Sequence, residues 1–207
     1  HLEVLPKSSP DFKMIQKYVK NTHGSDHFFG MEIIDVFCVS RVNRGDFCSL
    51  HFAHYLAVRH GSRLSNFVGI FSQGLRTAAP VSPLVDLSVS SHKNSNWYFL
   101  QAFNHCHPDL SANDAFLLLC DVALGKVQEE INVSNRDMQL KMGNTAVKST
   151  GCQSPGPSAT LNHKDGFVVP YGESTRGLQK IYLEYNECIV YDVAQVRIRY
   201  LVRTKID

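Results

Sequence analysis

The 207-residue chain has no long apolar run. None approaches the roughly 20 residues of a membrane-spanning helix, so no membrane is expected among its partners. It lacks an excess of either charge: 21 Lys and Arg against 19 Asp and Glu leave a net +2. That is too little to mark a surface for anionic lipid or for direct nucleic acid binding. None of the six cysteines forms a Cys-x-x-Cys pair, which removes the spacing of a zinc knuckle. Also missing is a Gly-x-Gly-x-x-Gly after a strand-like run, the fingerprint of the Rossmann fold. The first residues, His1-Leu2-Glu3-Val4, hold neither an initiator Met nor a signal-peptide pattern.

What is present fits one globular domain. Hydrophobic residues make up 43% and charged residues 19%, an ordinary balance in a chain long enough to bury a core. The expectation is a single domain over residues 1–207, cut from a longer protein. Cys38, Cys120 and Cys188 lie in strand-like apolar runs and read as small core residues. Reduced intracellular thiols are the simplest account of the six. His105-Cys106-His107 is dense in ligand types, but neighbours on an extended chain point opposite ways, so no metal site is expected.

Ser9-Pro10 opens a helix, with a capping hydroxyl and then proline at the first helical position. Phe12, Ile15, Tyr18 and Val19 follow at helical spacing, and the helix ends near Asn21-Thr22-His23-Gly24. A strand over Glu32–Ser40 comes next. Leu56–Ser62 is a short strand running into a turn. Ser65-Asn66 caps a helix with the apolar face Phe67, Ile70 and Phe71, stopped by Gly74. Ala115–Leu124 is a continuous apolar run, the mark of a strand buried on both faces. Ser134–Gly166 is polar and carries Gly143, Gly151, Pro155, Gly156 and Pro157, so it reads as one long surface loop. Asp165–Pro170 returns to a strand. Leu183–Tyr191 is another, β-branched and aromatic, with one carboxylate inside it, Glu187. On pattern alone Glu187 equally suits a solvated face, since an unpaired buried charge is costly. After the short connection Asp192–Gln195, Val196, Ile198, Tyr200 and Val202 alternate with Arg197, Arg199 and Arg203. This predicts one buried face and one wet face of arginines. Strands dominate, helices are short and no regular βαβ alternation occurs, so the class is α+β.

Two strings carry more than a fold class. The run His60-Gly61-Ser62-Arg63-Leu64-Ser65-Asn66-Phe67-Val68-Gly69-Ile70-Phe71-Ser72-Gln73-Gly74-Leu75-Arg76 resembles the NAD-binding segment of the DNA-damage-responsive poly(ADP-ribose) polymerases. Tyr185-Asn186-Glu187, with the Ile189-Val190-Tyr191 strand behind it, resembles the end of the same catalytic domain. Lys17–His23 is similar to its opening helix and Leu117–Gly125 to one of its strands. The resemblance implies the ADP-ribosyltransferase fold: two packed, mainly antiparallel sheets with short flanking helices and NAD+ in the cleft between them. It implies transfer of ADP-ribose from NAD+ to acceptor proteins, elongation of poly(ADP-ribose) chains, and a nuclear protein. NAD+ is then a substrate, and no metal is needed. In the family, an autoinhibitory helical domain and DNA-binding modules lie upstream. Neither is among these residues, so any response to DNA is expected to come from elsewhere.

The same resemblance assigns roles. Glu187, His60 and Tyr98 are the catalytic candidates. His60, Gly61, Ser62, Asn66, Arg76 and His105 are the NAD+-binding candidates, with Gly61 offering its backbone to the nicotinamide amide, where a side chain would block approach. His60 and Glu187 are expected to face one cleft with Gly61 at its floor. The departure lies between Pro83 and Cys106, where the family's glycine-rich loop is replaced by Leu84–Phe99. An ungapped alignment puts Asn94 at the family's first active-site tyrosine. A gapped one puts Tyr98-Phe99 on Tyr-Phe. Ala102 replaces a serine that bonds the nicotinamide amide, His105 replaces a tyrosine that stacks on its ring, and Arg59 stands where the family has Trp. The lost hydrogen bond and stacking face are each worth about 0.5–1.5 kcal/mol. These changes support a second reading, a degenerate member acting as a binding or scaffold module. Segment 84–106 is expected to be the least regular part of the fold.

Overall fold

The computed structural model describes residues 1–22, 30–40, 54–61, 64–73, 114–131, 140–156, 159–177, 186–190 and 192–206. Strand β1 (Leu2–Val4) is followed by helix α1 (Pro10–Asn21). The Ser9 hydroxyl caps α1 by accepting the Phe12 N–H at 3.1 Å. Pro10 takes the first helical position, where no N–H is needed. The helix stops at Thr22, whose N–H and hydroxyl both donate to the Tyr18 carbonyl. Phe12, Ile15, Tyr18 and Val19 are buried, as their spacing predicts.

Next come β2 (Met31–Val39), β3 (His54–Gly61), α2 (Leu64–Gln73), β4 (Asp114–Ala123), β5 (Val127–Ile131) and β6 (Ala146–Thr150). The rest are β7 (Gln153–Pro155), β8 (Thr160–Asn162), β9 (Phe167–Pro170), β10 (Ser174–Arg176), β11 (Glu187–Val190) and β12 (Val196–Ile206). A 3-10 turn over Val193–Gln195 precedes β12. Seven strands form one sheet in the order β1-β2-β12-β4-β3-β9-β8. Its pairs are antiparallel, apart from β3 with β9. A second sheet has the order β11-β6-β5, antiparallel then parallel, and β10 pairs with β7 as a two-stranded ribbon.

Buried along nearly its whole length, β4 lies between β12 and β3. Leu118, Cys120 and Val122 enter a core shared with the second sheet, where Ala146 of β6, Val190 of β11 and Phe67 of α2 meet them. Leu117 and Leu119 enter the core under α1, with Ile15, Phe167 and Val169. Two apolar faces on one strand explain the continuous apolar run. Cys120 is buried as expected, whereas Cys38 and Cys188 are only half-buried at the margins of the two cores.

The wet arginine face expected on β12 is not there. Its register on β4 slips between Ile198 and Tyr200, a β-bulge at Arg199 that breaks the two-residue alternation. Ile198 and Leu201 enter the core shared with the second sheet, and Tyr200 and Val202 the core under α1. Sitting between β2 and β4, β12 is central and has apolar residues on both faces. Two of its arginines, Arg197 and Arg199, answer a buried carboxylate. Asp121 of β4 is 1% exposed, and its Oδ2 receives Arg197 Nη2 at 2.6 Å and Arg199 Nη2 at 3.2 Å. Arg199 also reaches Asp165 at 2.9 Å and lies 4.8 Å above the Phe167 ring. Arg203 pairs with Asp114 at 2.6 Å and Asp35 at 3.4 Å.

The stretch read as one long loop over Ser134–Gly166 is a second correction. It contains β6, β7 and β8, and Ala146, Val147, Ser149 and Gln153 are buried. These strands are short and largely polar, so they show no apolar alternation. They are held by ladders to β5, β11, β10 and β9. Beside the ribbon, two backbones touch. A Cβ on Gly172 would lie 2.5 Å from the Gly156 carbonyl oxygen and 2.9 Å from its nitrogen, so only glycine fits.

Three outcomes are expected. Asp121→Ala leaves two arginines facing an empty site and should lower stability by about 3–5 kcal/mol in urea titration; a loss below about 1 kcal/mol would contradict a buried, compensated charge. Gly172→Ala should cost about 1–3 kcal/mol, and an unchanged unfolding midpoint would mean that the two backbones can part freely. The third concerns alkaline pH. Burial, then the neighbouring Asp11 that accepts its O–H at 3.2 Å, raise the pKa of Tyr200. Burial and then the Asp121 charge raise that of the Cys120 thiol. A proton held more tightly in the folded state stabilises it fully below the unfolded pKa, and that stability is lost as pH rises beyond it. Urea midpoints should therefore fall above about pH 9, and Tyr200→Phe should flatten the part of the fall above about pH 10. Midpoints level from pH 8 to pH 11 would count against both assignments.

Candidate active site

His60 and Gly61 end β3, in register with Leu118 and Leu117 of β4. Helix α2 starts at Leu64 and carries Asn66 in its first turn. Phe67 anchors this helix. It is buried, and its ring lies 6.0 Å from those of Phe71 and Phe116. Ile70 and Phe71 pack on the same core, so the apolar face expected for the helix is the one observed. Val68 points the other way and is exposed.

Glu187 is the first residue of β11 and pairs in register with Ser149 of β6. Just before it, the Asn186 side-chain oxygen accepts the Gly151 N–H at 2.9 Å. This bond carries the attachment of β11 to β6 past the last ladder pair. Gln195 holds the chain beyond β11. Its Nε2 donates to the carbonyls of Ala123 at 2.8 Å and Thr145 at 3.2 Å, and its Oε1 accepts the Asp192 N–H. One amide thus ties the end of β4 to the approach to β6 and to the turn before β12. Sequence reading missed both residues as positioning groups. The available signal was an amide side chain flanking each end of a short apolar strand, where a buried backbone group needs a partner.

His60 and Glu187 consequently lie on strands of different sheets that share one core. Leu118, the register partner of His60, belongs to it together with Phe67 of α2 and Val190 of β11. His60, Gly61, Asn66 and Glu187 are placed here by their backbone. Ser62, Arg76, Tyr98 and His105 lie outside the described residues, and so does segment 84–106 with its expected irregularity.

The second sheet is held at its far edge by polar pairs. Lys148 meets Glu129 at 3.1 Å and Lys141 meets Glu130 at 2.7 Å. The Gln128 side chain accepts the Lys141 N–H at 2.8 Å and donates to Glu130 at 2.9 Å. Exposed pairs of this kind add little stability, but here they fix the segment leading into β6. The Cys120 thiol, held protonated by burial and by Asp121, is a packing group and not a nucleophile. Among the described residues, no three His, Cys, Asp or Glu side chains are grouped to hold a metal, and no helix is long and apolar enough to cross a membrane. His105-Cys106-His107 lies outside them.

Comparison with known proteins shows the family. A family model described as the poly(ADP-ribose) polymerase catalytic domain matches residues 9–206. The chain is 37% identical over 210 residues to poly [ADP-ribose] polymerase 1 of Caenorhabditis elegans, covering 99% of this chain and 22% of that protein. It is 36% identical over 205 residues to poly [ADP-ribose] polymerase 2 of Arabidopsis thaliana, covering 96% of this chain and 32% of that protein. With poly [ADP-ribose] polymerase of Drosophila melanogaster it shares 38% over 208 residues, or 98% of this chain and 21% of the relative. The chain therefore spans about a fifth to a third of the length of the curated relatives it matches. Two packed, mainly antiparallel sheets with short helices, matched by the family model from residue 9 to residue 206, make this chain a member of the poly(ADP-ribose) polymerase catalytic-domain family, with its ADP-ribosyltransferase fold.

Proposed function

We propose that the chain is one catalytic domain, a NAD+ ADP-ribosyltransferase that moves ADP-ribose from NAD+ to acceptor proteins and elongates poly(ADP-ribose) chains. The observation that carries this is the family match over residues 9–206, which takes in both the His60–Arg76 string and Tyr185-Asn186-Glu187. NAD+ is consumed as a substrate. The bond between the nicotinamide nitrogen and the ribose C1′ breaks, and its electron pair leaves with nicotinamide. The acceptor hydroxyl or carboxyl oxygen adds to C1′ and gives up its proton. Between these events C1′ carries oxocarbenium character, and an anion held close to it lowers the barrier.

Glu187 supplies that anion and engages the 2′-hydroxyl of the nicotinamide ribose. Gly61 meets the nicotinamide amide through its backbone. His60 bonds a ribose hydroxyl of the adenosine half, and Ser62, Asn66 and Arg76 line the dinucleotide path. Tyr98 and His105 serve the nicotinamide end, with His105 as the stacking face. The two sheets then bracket one cleft, with His60 and Glu187 on its walls and Gly61 at its floor. By family resemblance the protein works in the nucleus, and its response to DNA damage lies with parts other than this domain. The rewritten segment 84–106 supports the second reading, a scaffold that binds without transferring.

Glu187→Gln keeps size and hydrogen bonding but removes charge that matters mainly in the transition state. Polymer output should fall at least about 100-fold, with NAD+ affinity within about twofold. Equal output from the two proteins would remove Glu187 from the mechanism. No NAD+ binding by the wild-type chain would favour the scaffold. Tyr98→Phe, which removes only a hydroxyl, should lower output if the gapped alignment is the correct one.

A further inference from the structure

The chain passes directly from the large sheet to the second between β4 and β5, and returns directly between β11 and β12. Gln195 sits where the two passages meet. It is the last residue before β12, whose first residue, Val196, is in register with Val122 of β4. Its buried side chain donates across the junction to the carbonyl of Ala123, the last residue of β4, at 2.8 Å. It donates as well to the carbonyl of Thr145, the residue before β6, at 3.2 Å. On the returning passage its Oε1 accepts the Asp192 N–H at 3.1 Å. Thr145 completes the cluster. Its hydroxyl donates to the Leu124 carbonyl at 2.7 Å and its N–H to the Lys126 carbonyl at 2.9 Å. Ala123 is fully buried, so its carbonyl needs a partner from the protein.

We propose that Gln195 is a positioning residue that sets the angle between the two sheets, and through it the separation of the end of β3 from the head of β11. That this separation governs turnover rests on the reading of His60 and Glu187 as parts of one NAD+ site. Both stand away from the junction. Leu118, the register partner of His60, lies five residues before Ala123 on β4, about 17 Å along an extended strand. On the second sheet Val190 pairs with Ala146, next to Thr145, and Glu187 heads β11 three residues further out, about 10 Å. Leu118, Ala146 and Val190 share one core, so the sheets face each other over this stretch. Apolar packing there is non-directional and tolerates a tilt, whereas hydrogen bonds at the junction have a preferred geometry. A tilt of about 5° moves a point 15 Å or so from the junction by about 1 Å. A misplacement of about 1 Å is enough to cost roughly 100-fold in rate.

Gln195→Met keeps the length of the side chain and removes its hydrogen bonds, so it is the variant to test in the 207-residue chain. Amide residual dipolar couplings measured by NMR report the relative orientation of the sheets and need no NAD+. In wild type, the couplings of β3, β4 and β12 and those of β5, β6 and β11 should fit one alignment tensor. In Gln195→Met the second set should need a tensor rotated by about 5° or more, or one reduced by motion. One common tensor in the variant would overturn the proposal. In turnover, Gln195→Met should lower kcat at least about 10-fold, with KM for NAD+ within about twofold, because the groups proposed to hold the dinucleotide lie with β3 and α2. A merely destabilising substitution would lower the unfolding midpoint and leave the tensor, and kcat per folded molecule, as they were. Unchanged kcat in a variant with tilted sheets would overturn the positioning role. In the Glu187→Gln background Gln195→Met should cost little further, and a full additional loss there would show that it does not act through β11. A wild type that transfers no ADP-ribose would instead sink the transferase reading, and the couplings would still decide whether Gln195 sets the angle. Should Gln195→Met fail to fold, Thr145→Val, which loses only the hydroxyl bond to Leu124, takes its place and should tilt the second sheet as well.

Discussion

The double-sided burial of β4 is the constraint on which the rest depends. A strand covered on both faces must be apolar at nearly every position, and here alternate residues feed two separate cores. One core holds α1 against the large sheet. The other holds the second sheet and α2. The candidate site inherits its geometry from that second core, because α2 and β11 both pack on it and β3 is laddered to β4. Repacking around Leu118 would therefore move His60 relative to Glu187 without touching either.

One buried position in β4 breaks the apolar rule, and β12 is shaped around it. Asp121 is a buried acid among apolar neighbours on its strand. Arg197 and Arg199 compensate it, and the bulge at Arg199 lets the strand place a cation and then Tyr200 on the same side. Arg199 extends the network to Asp165 and the Phe167 ring. Next to that ring lies His163, stacked at 4.2 Å and bonded to Asp11 of α1 at 3.2 Å. The result is a polar chain running from the centre of the sheet to the start of the first helix. It ties β9 to β12 by charge as well as by packing.

Much of this was legible in the sequence where apolar residues keep time with the backbone. Phe12, Ile15, Tyr18 and Val19 mark α1, and the run over Ala115–Leu124 marks a doubly buried strand. Motif matching located the His60 and Glu187 strings, which no periodicity argument could do. The failures have two physical causes. A bulge shifts the alternation of β12 by one residue, and nothing in the side chains themselves announces the shift. The short strands β6, β7 and β8 owe their existence to partners far away in the chain, so Ser149 and Gln153 look like loop residues until those partners are in place. The positioning roles of Asn186 and Gln195 went unnoticed for a related reason: they satisfy backbone groups of other segments.

The place of β12 in the large sheet has a consequence for how the molecule is made. Residues 196–206 come latest among the seven strands, yet they lie third in the sheet, between β2 and β4. Until they arrive, β2 and β4 share no ladder among the described residues, and α1, bonded to His163 and to the Tyr171 carbonyl, is what links the two halves. During synthesis the facing edges of β2 and β4 stay unpaired until then, the condition in which partly made sheets aggregate. The large sheet closes by insertion of its final strand into a gap. That is a slow, long-range step, and it makes the assembly of the whole sheet conditional on those eleven residues.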